Sequence, residues 1–198
     1  MDVAATDVRM TARQSQRRQA ILDAVVALVG ERGVHDLQMR DVAERSRVSL
    51  GTIYRYFASK DHLIAAAFMH WGSGLERQVA LVKLDDDADA ATRLSRALRV
   101  GVRPFQREPH FARMLIAVGS SSDPSASETY LGLGRRVRQI LGQSIPDVEP
   151  DEREAVLQVV GSVWYHAFVE WMSGRITVQQ VYERLDLAAR LLLREPRR

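Results

Sequence analysis

The residues with most to offer chemically fall close together: Ser49, Leu50, Gly51, Thr52, Tyr54, Arg55 and Tyr56, followed by Lys60. Hydroxyls, phenols, a guanidinium and an ammonium do not make a nucleophile with its base. They suit hydrogen bonding to phosphate oxygens and to base edges in a DNA major groove roughly 12 Å wide. Thr52, Tyr56 and Lys60 are the candidates for phosphate contact. Lys60 stands where a helix is expected to begin, so its charge and the free backbone N–H groups can share one phosphate.

Such a surface must be held by elements that cannot stand alone. Met39 to Ser46 and Ser49 to Tyr56 read as two short helices joined by a tight turn at Ser46 to Val48, each too short to be stable without packing. With Val42, Ala43, Val48 and Ile53 turned inward, the pair fits a helix-turn-helix, and Ala43 must be small for the close approach. The support is a preceding amphipathic helix carrying Ile21, Leu22, Val25, Leu28 and Val29 and ending near Gly30 to Gly33. On the far side, Ser59 caps a long helix whose stripe is Leu63, Ile64, Ala67, Phe68 and Trp71, with Asp61 in its first turn. Tyr54, Tyr56 and Phe57 are also open to core packing, the preferred role for Phe57.

Beyond this unit the pattern predicts four or five more helices. Pro104 is read as a helix stop, Asp123-Pro124 as a cap with proline at the first helical position, and Thr177 with Gln180 as a capping box. Glu152 to Met172 and Val178 to Arg194 read as an antiparallel hairpin. Gly72-Ser73-Gly74 interrupts the long linking helix and marks either a hinge or the helix end. The fold expected is all-α: a three-helix helix-turn-helix domain over 14–60, joined by a long helix to a larger helical domain over 61–198.

Val48 to Lys60, Val-Ser-Leu-Gly-Thr-Ile-Tyr-Arg-Tyr-Phe-Ala-Ser-Lys, resembles the signature of the TetR family of ligand-responsive repressors, and the likeness extends over residues 16 to 65. The resemblance implies DNA-backbone contacts from Thr52, Tyr54, Tyr56 and Lys60, and places Arg40, Ser49, Leu50 and Gly51 near base edges. Two positions depart from the family pattern. Arg47 occupies the turn where glycine is usual, at a strain of about 1 kcal/mol or more if it is left-handed. Gln38 replaces the usual Ser or Thr cap and is free to reach a phosphate instead.

The rest of the chain carries little motif content, as expected where a small molecule is recognised by pocket shape. Candidate ligand contacts are Phe68, Phe105, His110, Phe111, Met114, Trp164, Tyr165 and Phe168; Trp71, Tyr130, Trp171 and Met172 are further candidates for the lining, and His166, like His110, for orienting a polar group of the ligand. An ordinary filled core would use the same residues. Val163-Trp164, Glu170-Trp171 and Arg184 to Leu192 resemble one branch of the family, which includes a repressor of cholesterol-degradation genes. That likeness implies a bulky apolar effector, a sterol-derived or fatty acyl-CoA thioester. It also implies a homodimer built on the C-terminal hairpin, whose broad apolar face supports dimerisation independently.

Composition agrees with these readings and excludes others. Net charge is +3, and Lys and Arg outnumber Asp and Glu by ten to seven over residues 1–60, which permits phosphate contact without demanding it. There is no cysteine, so disulfides, thiol chemistry and cysteine-ligated zinc are out. No apolar run is long enough for a membrane span, and Arg9, Arg13, Arg17 and Arg18 argue against a secretory signal, so a cytoplasmic protein is expected. Asp85, Asp87 and Asp89 open like a calcium loop, but Ala90 and Arg96 stand where its glycine and bidentate glutamate belong. Protease, hydrolase and nucleotide-binding motifs are missing, and neither a cofactor nor a metal is expected. Two alternatives stand behind the regulator: a helical adaptor without DNA binding, supported only by Arg47 and Gln38, and an α-helical acyl enzyme that lacks a catalytic set.

Overall fold

The computed structural model describes residues 11–80 and 88–194. The expectations for Arg9, Asp85 and Asp87 lie outside the described residues. Within them every regular element is a helix: α1 (Ala12–Arg32), α2 (Met39–Ser46), α3 (Leu50–Tyr56), α4 (Lys60–Ala80), α5 (Ala90–Arg107), α6 (Pro109–Gly119), α7 (Pro124–Gly142), α8 (Pro150–Met172) and α9 (Val178–Leu192). No helix among them is long and apolar enough to cross a membrane.

The caps are local chemistry. Thr11 and Gln14 close a capping box on α1, Asp123 accepts from the Ala126 N–H at 2.8 Å ahead of Pro124, and Thr177 and Gln180 close a box on α9. Asp89 caps α5 by accepting from the Thr92 N–H at 2.7 Å. α1 stops at Gly33, whose φ of 85° and ψ of 167° lie in a region essentially reserved for glycine. The absent side chain also makes room there: a Cβ on Gly33 would sit 3.1 Å from His110 Nδ1.

Two sequence expectations need correction. Pro104 does not stop α5, which runs on to Arg107. Proline removes only the N–H that its own turn would donate, and the Pro104 carbonyl still accepts from the Glu108 N–H at 3.0 Å while Phe105 beside it is buried. Nor does the long helix end at Gly72-Ser73-Gly74, since α4 passes through all three. Helical glycines weaken a helix by about 1 kcal/mol each relative to alanine, and packing of α4 along α7, its most extensive partner, offsets this.

The apolar core begins in the helix-turn-helix and does not stop at its edge. Ile21, Val25, Leu28, Val42, Ile53 and Phe57 join Leu63, Ala67 and Phe68 of α4, then Phe111 and Met114 of α6 and Phe168 of α8, in one buried cluster. A second cluster packs α5, α8 and α9 through Leu94, Leu98, Val160, Val181 and Leu185. Polar contacts pin the first unit to the second: His70 Nε2 lies 2.6 Å from Asp23 Oδ1, and the Ser121 hydroxyl donates to Asp61 at 2.5 Å.

Candidate nucleic-acid interface and internal cavity

α2 and α3 are joined by a turn in which the Val48 N–H bonds the Ala43 carbonyl at 3.2 Å and the Arg47 N–H bonds Glu44 at 3.3 Å. This double bond pattern is the Schellman ending, which places its penultimate residue in the left-handed region. Arg47 takes that position at φ 55° and ψ 32°. The turn therefore closes in the ordinary glycine geometry with a side chain in place. Arg47→Gly is expected to raise stability by up to about 1 kcal/mol, measured by urea denaturation; an unchanged or lower midpoint would mean the arginine gains compensating contacts.

The scaffold beneath is fixed to α1. Arg45 donates to both carboxylate oxygens of Glu31, each at 2.8 Å, and Arg32 lies 3.0 Å from Asp41. The hydrogen bonds from Arg45 hold the Glu31 carboxyl below its usual range. Both pairs are exposed, so they set angle more than stability. Val42 and Ile53 are fully buried, and Ala43 and Val48 pack partly buried against them, as the pattern predicts. Gln38 makes no side-chain cap, again as expected.

The remaining candidates lie at or near the surface. Gln38, Arg40, Ser49, Gly51, Tyr54 and Arg55 are exposed, and Leu50, Thr52, Tyr56 and Lys60 are half-buried. The Ser49 hydroxyl caps α3 by accepting from the Thr52 N–H at 3.4 Å, and the two side-chain oxygens lie 2.9 Å apart. Tyr54 leaves 48% of its surface in water, whereas Phe57 is wholly buried. The three aromatics thus divide: Phe57 is core, Tyr54 is surface, and Tyr56 packs at the edge. Lys60 opens α4, whose first turn is capped by the Ser59 hydroxyl accepting from the His62 N–H at 2.9 Å.

The larger unit holds a pocket of about 490 Å³ that is partly open to solvent along Leu131, Val137, Gln158 and Gly161. Phe68, Trp71 and Gly72 come from α4, Leu98, Gly101 and Phe105 from α5, Leu115 from α6, Tyr130 to Leu141 from α7, and Leu157 to Tyr165 from α8. Its few polar groups are Tyr130, Tyr165, Gln158, Ser162 and Arg138. Burial pushes both phenols up in pKa, so they stay neutral hydrogen-bonding groups. A cavity of this size, apolar with a handful of polar groups, has the form of a small-molecule site.

Four of the eight expected ligand residues line it: Phe68, Phe105, Trp164 and Tyr165. The other four do not. Phe111 stacks behind Trp71 with centroids 4.4 Å apart, and Phe168 behind Trp164 at 4.5 Å, so each supports a lining ring rather than the space itself. Met114 is fully buried in the core, and His110 presses its buried Nδ1 toward Gly33 at the contact of α1 with α6. His166 lies on the surface with 74% of its side chain exposed, 3.4 Å from Glu170. Sequence reasoning missed Arg138 and the glycines. The available signal was glycine inside helices with no turn nearby, at Gly101 and Gly161.

Comparison with known proteins matches this architecture. Residues 21–67 fit the model for bacterial regulatory proteins of the tetR family, and residues 88–192 fit the tetracyclin repressor-like C-terminal domain. The HTH-type transcriptional repressor KstR of Rhodococcus jostii (strain RHA1) is 34% identical over 181 residues, covering 91% of this chain and 84% of that protein. A TetR transcriptional regulator from Rhodococcus sp. RHA1 superposes with a TM-score of 0.78 at 23% identity, over 93% of this chain and all of that one. Thermus thermophilus FadR, a TetR family repressor in complex with lauroyl-CoA, superposes with a TM-score of 0.70 at 20% identity, over 91% and 96%. With both halves matched in order and the sequence likeness running along most of its length, the chain belongs to the TetR family of transcriptional regulators and binds DNA through its helix-turn-helix.

Proposed function

We propose that the protein is a repressor that holds an inverted-repeat operator as a homodimer and leaves it when an apolar small molecule enters the cavity. Residues 14–60 form the DNA-binding unit and 61–198 the effector and dimerisation unit. Gln38, Arg40, Ser49, Leu50, Gly51, Thr52, Tyr54, Arg55, Tyr56 and Lys60 face the duplex. Thr52, Tyr56 and Lys60 grip phosphates, while the N-terminal end of α3 reads bases.

The observation that carries this reading is the span of α4. Its first residue is Lys60, and eleven residues later, about 16 Å along the axis, Trp71 and Gly72 line the cavity beside Phe68. α7 runs alongside it and also touches the DNA-binding end. The Asp123 carboxyl at its start is held below the usual range by the Ala126 N–H and then by the Ser59 hydroxyl. A ligand wedged between α4 and α7 has two rigid rods with which to move the recognition helices, and two helices out of register by a few ångströms no longer enter successive grooves about 34 Å apart. Val159 on α8 and Leu187 and Leu191 on α9 remain about half exposed, an apolar stripe that a second copy would cover. The lauroyl-CoA held by FadR favours a fatty acyl-CoA thioester as the effector, and the resemblance of the C-terminal hairpin to the branch with a repressor of cholesterol-degradation genes favours a sterol-derived one.

The test is selection of bound duplexes from a random pool, followed by titration of the winner with and without oleoyl-CoA. An inverted repeat, released by the ligand, is the expected result; absence of any enriched sequence at low salt would shift the reading to an adaptor. Lys60→Ala and Tyr56→Phe are expected to weaken binding to all sequences by about threefold to tenfold each and to flatten its salt dependence. Unchanged affinity of both across a salt titration would remove them from the interface.

A further inference from the structure

The cavity does not end in a closed wall. Arg138 and Leu157 line it and also line a second, more polar hollow of about 650 Å³ between the C-terminal half of α7 and the first turns of α8. Arg135 and Arg153 stand in that hollow with Arg138, against one carboxylate, Glu154. Arg138 Nε donates to Glu154 at 2.8 Å, with a third of the arginine side chain and well over half of the glutamate in water. Among the described residues neither Arg135 nor Arg153 has a carboxylate within ion-pair distance. The Arg153 stem and the Arg138 guanidinium lie close along α7. A Cβ on Gly142 would lie 3.6 Å from Arg153 Cδ, and one on Gly134 would lie 3.5 Å from Arg138 Nη1.

Building on the effector reading, we infer that the ligand is an amphiphile with an anionic head, whose carboxylate or phosphate oxygens dock on Arg135, Arg138 and Arg153 while its apolar body fills the cavity. Two guanidinium groups without carboxylate partners, in a hollow that shares Arg138 and Leu157 with an apolar cavity, make an anion site at little cost. They are still hydrated, so capture of an anion replaces water with charge-assisted, bidentate bonds and does not first require breaking a buried pair. Arg138, at the junction, exchanges Glu154 for the ligand. It sits on α7, about 22 Å along the axis from the Asp123 cap that touches Ser59, so the head group pulls on the helix that reaches the DNA-binding corner. A neutral ligand of the same body would fill the cavity and leave that handle unused.

The experiment uses the full-length protein, with Trp71 and Trp164 fluorescence reporting occupancy, and three probes sharing one chain: oleoyl-CoA, oleate and oleyl alcohol. The anionic probes are expected to bind at least about tenfold more tightly than the alcohol, with the preference shrinking as salt rises. Arg135→Gln with Arg153→Gln should cut the preference to about threefold or less, the remainder held by Arg138, leaving affinity for the alcohol and for operator DNA unchanged. Tighter binding of oleoyl-CoA than of oleate would assign the groove to phosphates, and equal binding would assign it to the carboxylate. If the alcohol binds as tightly as the anions, or the double variant keeps the preference, the groove proposal is overturned while the effector reading survives. If none of the three binds at micromolar concentration, both fall together.

Discussion

Phe57→Ala should cost about 3–5 kcal/mol of stability and with it nearly all operator binding. The ring is wholly buried where three helices meet. It stands edge-on to His62 at 5.6 Å, the Arg18 guanidinium of α1 lies 5.4 Å from its centre, and its own N–H ends α3 on the Ile53 carbonyl at 3.0 Å. A helix of seven residues has no stability of its own, so α3 is held in place by what packs beneath it. Set against a net stability of about 5–15 kcal/mol for a typical domain, the loss is large enough to leave the recognition helix unfixed. Affinity for the selected operator should fall by about a hundredfold or more. Urea denaturation and DNA titration of the same preparation check both parts. Near-native DNA affinity in Phe57→Ala would mean that α3 does not depend on this packing.

The second large effect is expected in the cavity. Gly72, Gly101 and Gly161 lie inside α4, α5 and α8, all three line the space, and a Cβ at any of them would meet nothing within 4 Å. Glycine inside a helix is destabilising by about 0.5–1 kcal/mol relative to alanine. Its occurrence on three walls of one cavity has a simple reading: side chains there would occupy the ligand's volume. Gly101→Leu should therefore leave the fold intact, with any change in stability in the direction of gain. It should also lower effector affinity, since overpacking an apolar site costs about 1–3 kcal/mol, or roughly fivefold to a hundredfold. Operator binding should stay at the wild-type level while release by oleoyl-CoA shifts to higher ligand concentration. Release at the wild-type concentration would place the effector elsewhere.

The helix-turn-helix was legible because its determinants are local. Two short apolar periods, a tight turn, the cap at Ser59 and the run from Gly51 to Lys60 lie within about one turn of the residues they act on, and the structure buries and exposes these residues as the periodicity requires. The strain at Arg47 was readable from the family pattern, which has glycine at that turn, and the residue is left-handed in the structure. The C-terminal hairpin followed from two long apolar periods and a short connection, and appears as α8 and α9.

The cavity was not legible to the same degree, because its walls belong to five helices and a residue's side of the wall depends on how those helices are rotated and spaced. Phe111 and Phe168 have the same composition signal as Phe105, yet they stand behind the lining while Phe105 stands in it. Pro104 and Gly72 read as breaks on local propensity, and packing overrode both, since a few tenths to a few kcal/mol of backbone cost is smaller than the burial the helices gain from their neighbours. By itself the sequence determined the all-helical class, the caps at Ser59, Asp123 and Thr177, the exposed residues of the helix-turn-helix and the family. Only the tertiary structure decided which side chains enclose space and which fill it, and that Arg138 stands where an apolar cavity meets a basic groove, because these depend on distances between segments far apart in the chain.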